Sequence, residues 1–410
     1  MITPKILMVI TNLGEGGAQR VFFDHAVAFS QKFQVKEVVF DHGEKERLYD
    51  SGLEILSLNV KGSNNLLGKI SAFIKRPFRL RKIIKENKID LVISHMDGAN
   101  WVNTLTFTKS RKILVVHGTI LHDYSSSRLM QWIRRKILIP SLYNKADLTV
   151  AVSEGIRNEL INDCGIKNVK TIPNFFNVEE IQRNASMPLS QEWERLFLNN
   201  QILITSGRLH EQKKQKHLLP LFKKILTSHR NLKLIILGDG PLRNELFAEA
   251  KSLGLRIYSV WDKEKDLTNE FDVYFPGYVN NPFQFLQRST LFVFPSGWEG
   301  FPLALCEAMI SGVPVLAADC PTGPREIICP GTFDSSYSLK TSEESQFGVL
   351  LPMVDKANFE IEWENAIINL LSNPEKRSKL IHNGIERMKS FNKAAVMQQW
   401  FDEIERVAAN

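Results

Sequence analysis

The sequence predicts an α/β protein made of two doubly wound, Rossmann-like domains whose sheets face a central cleft. Short runs of β-branched and aliphatic residues alternate with helical patterns, and strands this apolar are typical of parallel sheets covered on both faces. The alternation restarts halfway along the chain, and 410 residues exceed what one ordinary core holds. We therefore expect two similar units in tandem.

The alternation gives the order of the elements. In the first half, strands are predicted at 5–10, 35–40, 53–58, 90–95, 112–117 and 147–152, with helices at 17–31, 68–87, 128–144 and 154–163. In the second half, strands are predicted at 201–205, 233–237, 273–275, 291–294 and 313–317. The predicted domains are residues 1–178 and 179–392, followed by a helical segment, 393–410, that can return to the first domain.

Composition and charge narrow the class of protein. The chain is 43% hydrophobic and 24% charged, and no apolar run approaches the roughly 18 residues of a membrane-spanning helix. Residues 1–180 hold 26 Lys and Arg against 18 Asp and Glu; subtracting these from totals of 52 and 45 leaves 26 and 27 for the rest. The basic first half indicates an anionic partner. Four cysteines without disulfide or zinc spacing favour a cytoplasmic protein.

A glycine-rich loop follows the first predicted strand. Gly16 and Gly17 stand at a strand-to-helix turn, where backbone amides can approach a phosphate at the start of the helix. The spacing differs from that of a dinucleotide-binding loop, so a tight turn without a ligand explains these glycines equally well.

Cations follow the first strand of the second domain. Arg208 and Lys213 stand just after that strand, where they can neutralise the charge that grows on a departing diphosphate. A solvated basic turn is the alternative explanation of the same residues.

The segment from Glu299 to Glu307 carries the most specific pattern in the chain. Pro302 suits the first turn of a helix, and the free amides of such a turn can hold a diphosphate. Glu299, just before the helix, can accept hydrogen bonds from sugar hydroxyls, and Glu307, inside it, can bind a vicinal diol such as a ribose.

Taken together, these motifs resemble those of retaining glycosyltransferases with the GT-B fold, and in particular glycosyltransferase family 4. The resemblance is carried by the two glutamates, the Ser-Gly-Arg-Leu segment with its lysine, the Leu-Gly-Asp-Gly turn at 237–240, the Gly-Gly-Ala-Gln-Arg-Val start and the Cys-Pro-Thr-Gly-Pro-Arg-Glu segment at 320–326. Within the family, the sequence is similar to bacterial members that build lipid-linked glycans, O-antigens or capsules. The resemblance covers nearly the whole chain.

The resemblance implies a role for each candidate residue. The implied catalytic residues are Glu299, Arg208, Lys213 and His117, the last at a position where relatives carry a histidine near the transferred sugar. The implied donor-binding residues are Glu307, Gly300, Phe301, Leu303, Gly238, Tyr278, Val279, Gly16 and Gly17. His95 and Asp97 end a strand and are candidates for contact with the acceptor. A structural histidine at a strand end is the alternative for His117.

The implied reaction moves a hexose or N-acetylhexosamine from a nucleotide sugar, with UDP favoured, to a lipid-linked glycan acceptor in bacterial polysaccharide, lipopolysaccharide or glycoprotein assembly. The sequence contains no Asp-x-Asp pair, so we expect neither a metal nor another cofactor. A GT-B-fold sugar-nucleotide epimerase and a non-catalytic sugar-nucleotide binding protein remain the alternatives. Segments 255–275 and 331–347 depart from the family pattern and receive no role.

A basic stretch in the first domain predicts a further partner. Residues 61–88 hold nine Lys and Arg against one acid, Glu86, with apolar residues between them at roughly helical intervals. Basic amphipathic helices bind anionic membranes, so we expect peripheral binding at the inner face of the cytoplasmic membrane. A solvated helix that covers its sheet is the alternative. We expect no nucleic acid partner, because the sequence has no reader motif.

Overall fold

The apolar runs of the sequence form the strands of two sheets. The computed structural model describes residues 3–14, 16–41, 49–62, 65–122, 127–262, 267, 270–332, 339–356 and 359–409. The strands of the first sheet are β1 Lys5–Ile10, β2 Gln34–Val39, β3 Ile55–Ser57, β4 Leu91–His95, β5 Arg111–Val116, β6 Leu148–Ala151 and β7 Val169–Thr171. Those of the second are β8 Gln201–Ser206, β9 Leu232–Leu237, β10 Ile257–Ser259, β11 Val273–Gly277, β12 Leu291–Phe294, β13 Val315–Ala318, β14 Glu343–Glu344 and β15 Val349–Leu351.

Helices connect the strands. They are α1 Gly17–Ser30, α2 Leu66–Glu86, α3 Asp97–Thr104, α4 Arg128–Ile133, α5 Ile139–Tyr143, α6 Glu154–Asn158, α7 Val178–Ala185, α8 Gln191–Asn199, α9 Leu218–Leu226, α10 Arg243–Ser252, α11 Phe283–Arg288, α12 Leu303–Ile310, α13 Pro324–Ile328, α14 Phe359–Ser372, α15 Pro374–Met388 and α16 Lys393–Ala409. Short π-helical segments, Arg134–Leu138 and Glu159–Asp163, follow α4 and α6. Among the described residues, no helix combines the length and the apolar character needed to cross a lipid bilayer.

Each sheet reverses its strand order near its centre. The first runs β3-β2-β1-β4-β5-β6-β7, and its strands are all parallel. The second runs β10-β11-β9-β8-β12-β13-β15-β14, with one antiparallel pair, β14 and β15, at its edge. The order reverses between β1 and β4 in the first sheet and between β8 and β12 in the second. In doubly wound sheets such a point marks the crevice where ligands bind.

The chain divides into two compact units, so both predicted Rossmann-like sheets are present. The first unit comprises residues 1–174 and 394–410, and the second comprises residues 175–393. Helix α16 therefore belongs to the first unit, where Trp400 is fully buried against His25 and Phe29 of α1. A 2.7 Å ion pair between Lys170 and the largely buried Glu403 also fastens this helix.

Several short elements were absent from the sequence prediction. These include β7, β10, β14, β15, α3, α7, α8 and α13, which are between two and nine residues long. A strand of three residues contains too few side chains for the alternating pattern to emerge. The predicted helix at 128–144 is interrupted by a π-helical segment, where the hydrogen-bonding pattern changes although the chain continues as a helix.

Candidate functional site

The switch point of the second sheet brings three predicted residues into one place. Strand β8 leads into Gly207 and Arg208, and its neighbour β12 leads into the segment that contains Glu299. Because parallel neighbours end at the same edge of a sheet, the residues that follow these two strands lie close together. Arg208 is exposed, and its guanidinium has no side-chain partner among the described residues.

Lys213 and Glu299 form an ion pair at this edge. The Nζ of Lys213 lies 2.7 Å from Oε1 of Glu299, and 19% and 7% of the two side chains are exposed. The same ammonium lies 5.1 Å from the centre of the Phe294 ring, a cation–π contact. The pair is therefore held in a partly dry setting, where charge-assisted hydrogen bonds are stronger than in water.

The segment around Glu299 is fixed from two sides. Gln212 donates to the carbonyl of Trp298 at 2.7 Å and accepts from the amide of Gly297 at 2.7 Å. On the other side, the hydroxyl of Thr322 donates to the backbone carbonyl of Glu299. Sequence reasoning missed Gln212 and Thr322 as supports, because both contacts join segments that are far apart in the chain. The only sign of either residue in the sequence was its place inside a segment that carries the resemblance.

Helix α12 begins beside this segment. Pro302 is its N-cap, one position before the first turn in which the sequence placed it, and its carbonyl accepts from the amides of Leu305 and Cys306. The amides of Leu303 and Ala304 have no acceptor among the residues described, as is usual at a helix start. This helix end therefore offers donors and a positive dipole end to an anion.

The other residues of the Glu299–Glu307 segment have different surroundings. Gly300 and Phe301 are buried, and the Phe301 ring packs edge-on against Phe391 at 5.3 Å. Glu307 lies one turn into α12 and is half-buried. The ring of Phe301 thus contributes core packing.

The first glycine of the Leu-Gly-Asp-Gly turn lies where two backbone segments cross so closely that a side chain would not fit. Gly238 has φ 126°, and a Cβ there would lie 2.2 Å from the carbonyl oxygen of Gly207. Its amide donates to the carbonyl of Gly277 at 2.8 Å. The turns after β8, β9 and β11 are therefore joined in one layer at the carboxyl edge of the sheet.

Tyr278 and Val279 follow β11 at the same edge. Tyr278 is 57% exposed and Val279 is half-buried, so both are accessible. The indole of Trp261, which the sequence did not identify, lies over Gly277, where an added Cβ would be 3.2 Å from its Cζ2 atom. Arg243 stacks on this indole at 4.4 Å. The rest of the predicted 255–275 segment lies partly outside the described residues, as does 331–347.

In the first unit, the predicted glycine loop requires glycine at position 16. Gly16 has φ 152° and caps α1, and a Cβ there would lie 2.3 Å from Oε1 of Gln19. Gln19 itself donates to Asn12 at 3.2 Å, which closes the loop on itself. Gly17 is the first residue of α1, so the amides that begin this helix come at the end of the loop that follows β1.

His95 and His117 end neighbouring strands and contact each other. Nδ1 of His95 lies 2.9 Å from Nε2 of His117. His95 is fully buried, whereas His117 is half-buried. The acceptor contact predicted for His95 therefore has no exposed surface to use. Burial lowers the pKa of His117 to about 4, and burial, helped by the nearby histidines, lowers that of His95 well below its usual value.

A third histidine completes this cluster. His25 of α1 is buried with its ring 5.4 Å from that of His95 and 4.9 Å from the indole of Trp400. Burial, with a smaller effect of His117, lowers the pKa of His25 to about 3. All three imidazoles are therefore neutral at neutral pH. The sequence marked His95 and His117 but not His25, which lies within a helix whose other buried residues are mostly apolar.

Asp97 is held by internal contacts. Its carboxylate accepts from Arg134 at 2.7 Å and from the hydroxyl of Tyr143 at 2.7 Å. It is the first residue of α3, and Met96 before it has a positive φ of 73°. These contacts join three elements of the first unit. The carboxylate that the sequence offered for contact with an acceptor therefore has a structural role.

Two family descriptions match the chain. The family described as Glycosyl transferases group 1 matches residues 190–387, and the one described as Glycosyltransferase Family 4 matches residues 15–180. The first match covers every strand of the second sheet, and the second match covers the strands of the first sheet from β2 to β7.

Relatives match over most of the chain. An uncharacterized glycosyltransferase of Methanocaldococcus jannaschii is 30% identical over 377 residues, covering 85% of this chain and 86% of the relative. An N-acetylgalactosamine-N,N'-diacetylbacillosaminyl-diphospho-undecaprenol 4-alpha-N-acetylgalactosaminyltransferase of Campylobacter jejuni is 26% identical and covers 88% of this chain and 93% of the relative. Among solved structures, Anabaena HepE in complex with UDP and glucose superposes with a TM-score of 0.74 at 18% identity, covering 98% of this chain and 99% of that one. At this identity the superposition shows only that the two proteins share a fold.

Proposed function

Because the chain belongs to the glycosyltransferases, with a GT-B fold and the family 4 pattern, we propose that it is a retaining enzyme that uses a UDP-sugar donor. The transferred group is a hexose or N-acetylhexosamine, and the acceptor is a lipid-linked glycan in surface polysaccharide or glycoprotein assembly. The named specificity of the Campylobacter jejuni relative, which acts on a diphospho-undecaprenol glycan, supports this acceptor. HepE was crystallised with UDP, which supports this base.

The observation that carries the proposal is the edge formed by β8, β12 and α12. Arg208, Lys213 and the first amides of α12 supply positive charge and donors for the diphosphate of the donor. Glu299, beside the lysine, accepts hydrogen bonds from the hydroxyls of the transferred sugar. Glu307, one turn along α12, binds the ribose, and Tyr278 with Val279 borders the base.

The proposed reaction keeps the configuration of the sugar. The bond between the anomeric carbon and the diphosphate oxygen breaks first, and the acceptor hydroxyl forms its bond on the same face. The proton of that hydroxyl passes to the departing diphosphate oxygen, so no protein base is required. Lys213 and Arg208 stabilise the negative charge that grows on this oxygen, and this stabilisation replaces a metal ion. His117 donates a hydrogen bond to the transferred sugar.

Helix α2 supports the proposed attachment to an anionic membrane. Ala72, Pro77, Leu80 and Ile84 face the unit, as a helix that covers its sheet requires. Five further apolar side chains, however, are between 42% and 81% exposed: Leu67, Ile70, Phe73, Ile74 and Phe78. A folded protein rarely exposes a contiguous apolar patch of this kind without a partner.

Neighbouring residues extend this surface. Phe107, 68% exposed, lines a groove of about 190 Å³ together with Phe73 and Phe78. Lys75, Arg79 and Lys82 are exposed on the same helix. Arg76, which the sequence counts with them, is half-buried, donates to the carbonyl of Val60 at 3.2 Å and stacks on Phe40. Apolar side chains among exposed cations suit the interface of a bilayer with anionic headgroups.

Labelled nucleotide sugars test the proposed activity. The protein is incubated with UDP-glucose, UDP-galactose and their N-acetylamino forms, with and without a prenyl diphosphate-linked N-acetylhexosamine. We expect label on the lipid from one donor and slow release of UDP without the acceptor. Conversion of the donor to an epimer without transfer would identify an epimerase instead. Binding without turnover would identify a sugar-nucleotide binding protein.

A further inference from the structure

The contact between His95 and His117 has the geometry of a hydrogen bond between two coplanar rings. The ring centres are 5.0 Å apart and the planes differ by 24°, while the facing nitrogens are 2.9 Å apart. Because the centres are much farther apart than the nitrogens, the rings lie edge to edge and not one over the other. A bond of this kind contains one proton between two nitrogens, so the tautomer of one ring determines that of the other.

The surroundings of His95 select the direction of this bond. His95 is fully buried, and its Nε2 has no hydrogen-bond partner among the described residues. The ring of Phe22 lies edge-on at 5.2 Å. A buried N–H group without an acceptor is rarer in proteins than a buried acceptor without a donor. The proton of His95 is therefore placed on Nδ1, where it has His117 as its acceptor.

We propose that His95 is a positioning residue that donates from Nδ1 to His117 and thereby holds the proton of His117 on its own Nδ1. Nδ1 of His117 has no partner among the residues described, and it belongs to the half-buried ring of the pair. The imidazole then presents a fixed N–H donor to a hydroxyl oxygen. The inference rests on the proposed function for its consequence in turnover, but the tautomer itself does not depend on that function.

The burial of the pair keeps this arrangement in the neutral state. Burial lowers the pKa of both rings, so neither carries a second proton at neutral pH. A free neutral imidazole exchanges between two tautomers, and the bond from His95 would remove this exchange at His117. Positioning by a second ring in this way resembles the orientation of ligand histidines by their partners in metal sites.

Nitrogen NMR of the 410-residue chain, with 15N-labelled histidine, tests the inference directly. The His117→Gln spectrum assigns the signals of His117. We expect wild-type His117 to have a protonated Nδ1 and an unprotonated Nε2, and the reverse would overturn the proposal. Asn places its amide where Nδ1 of His lies, so His95→Asn should keep this state. His95→Leu and His95→Gln should return His117 to a mixture of tautomers, and an unchanged spectrum of His117 in both would also overturn the proposal.

Turnover provides the second measurement, with the UDP-sugar of the panel that is transferred fastest. We expect kcat to fall about tenfold in His95→Leu and to stay within about threefold in His95→Asn, with KM little changed. In a His117→Ala background, His95→Leu should have no further effect on kcat, and additive losses would mean that His95 does not act through His117. Full activity of His117→Ala would refute the proposed role of His117 in transfer, while the NMR result would still decide the tautomer. If His95→Leu fails to fold, the wild-type and His95→Asn spectra still decide it.

Discussion

At the scale of single residues, the proposed chemistry depends on the pair formed by Lys213 and Glu299. Each side chain is largely buried and each has the other as its partner. A donor sugar would compete for the carboxylate while its diphosphate competes for the ammonium. In the proposed reaction the pair would be preorganised, because the ion pair already fixes both groups before the donor binds.

Replacing Glu299 by Gln should lower kcat roughly 100-fold, because a charge-assisted hydrogen bond to the sugar is lost. The melting temperature should change little, since the amide can still accept from Lys213. Glu344→Gln, which removes the acid of an exposed 2.6 Å ion pair with Lys376, is the matched control and should leave kcat unchanged. Wild-type turnover of Glu299→Gln would refute the site assignment.

Lys213→Ala and Arg208→Ala should lower kcat about 100-fold while KM changes only a few-fold, because the leaving group gains charge in the transition state. Lys216→Ala, at an exposed lysine paired with Glu245, controls for the loss of a cation from the same turn. Steady-state kinetics separates the two constants. A raised KM with unchanged kcat would mean that the cations bind the donor without stabilising its departure.

The sequence predicted these residues through motifs, and it failed where a role depends on burial. Glu299, Lys213 and Arg208 follow strands whose apolar runs are unmistakable, so their place at the sheet edge could be derived. The burial of His95 and the contacts of Asp97 could not, because they depend on residues far away in the chain, such as Phe22 against His95 and Tyr143 against Asp97. Arg76 was counted as a surface cation for the same reason.

At the scale of elements, α2 shows how much of a helix can be predicted from the periodicity of its sequence. Charge and spacing predicted an amphipathic helix, and the structure has one from Leu66 to Glu86. Periodicity could not indicate which apolar residues face the sheet, since both faces of the helix carry them. Only the packing of the helix in the structure shows that Phe73, Ile74 and Phe78 are exposed.

Charge reversal on α2 should release the protein from anionic vesicles. Wild type should sediment with vesicles rich in phosphatidylglycerol and leave them as salt rises, since each nearby cation contributes ~1 kcal/mol. Lys75, Arg79 and Lys82 changed together to Glu should weaken binding at least about 100-fold. Arg230, Lys251 and Lys356, which are exposed in the second unit, give a control with the same change in net charge. Equal sedimentation of the two triple variants would mean that α2 does not bind the membrane and that its exposed residues are solvated surface.

At the scale of the whole molecule, the predicted order of strands and helices accounts for both units. The two sheets share the same central order because both halves repeat the strand–helix alternation. The sequence placed the first boundary at residue 178, and the structure divides the chain after Asn174. Boundaries of this kind depend on contacts of connecting segments, which have no periodic pattern.

The stability of the first unit should depend on pH through its buried histidines. Burial lowers the pKa of His25, His95 and His117 below the unfolded value near 6.5, so the unfolded chain binds more protons in mild acid. Their stabilising effect is complete above about pH 6.5 and is lost as pH falls towards 4. Each histidine contributes a slope of up to ~1.4 kcal/mol per pH unit.

Urea unfolding between pH 7.5 and 4.5 measures this dependence. The matched variant is His25→Phe, which keeps an aromatic ring beside Trp400 but cannot bind a proton. We expect its free energy of unfolding to fall less steeply with acid than that of wild type. The part of the slope that comes from the three histidines should be smaller by roughly a third. Parallel curves for the two proteins would mean that the cluster does not control acid stability.

The anomeric configuration of the product tests the central claim most directly. The protein is incubated in EDTA with the UDP-sugar of the panel that it uses and the prenyl diphosphate-linked acceptor, and the coupling between H1 and H2 of the transferred sugar is measured by proton NMR. We expect an α-linked sugar, as in the donor, formed together with UDP and without added metal. A β-linked product, or turnover that requires magnesium or manganese, would contradict the proposed retaining transfer assisted by Lys213 and Arg208.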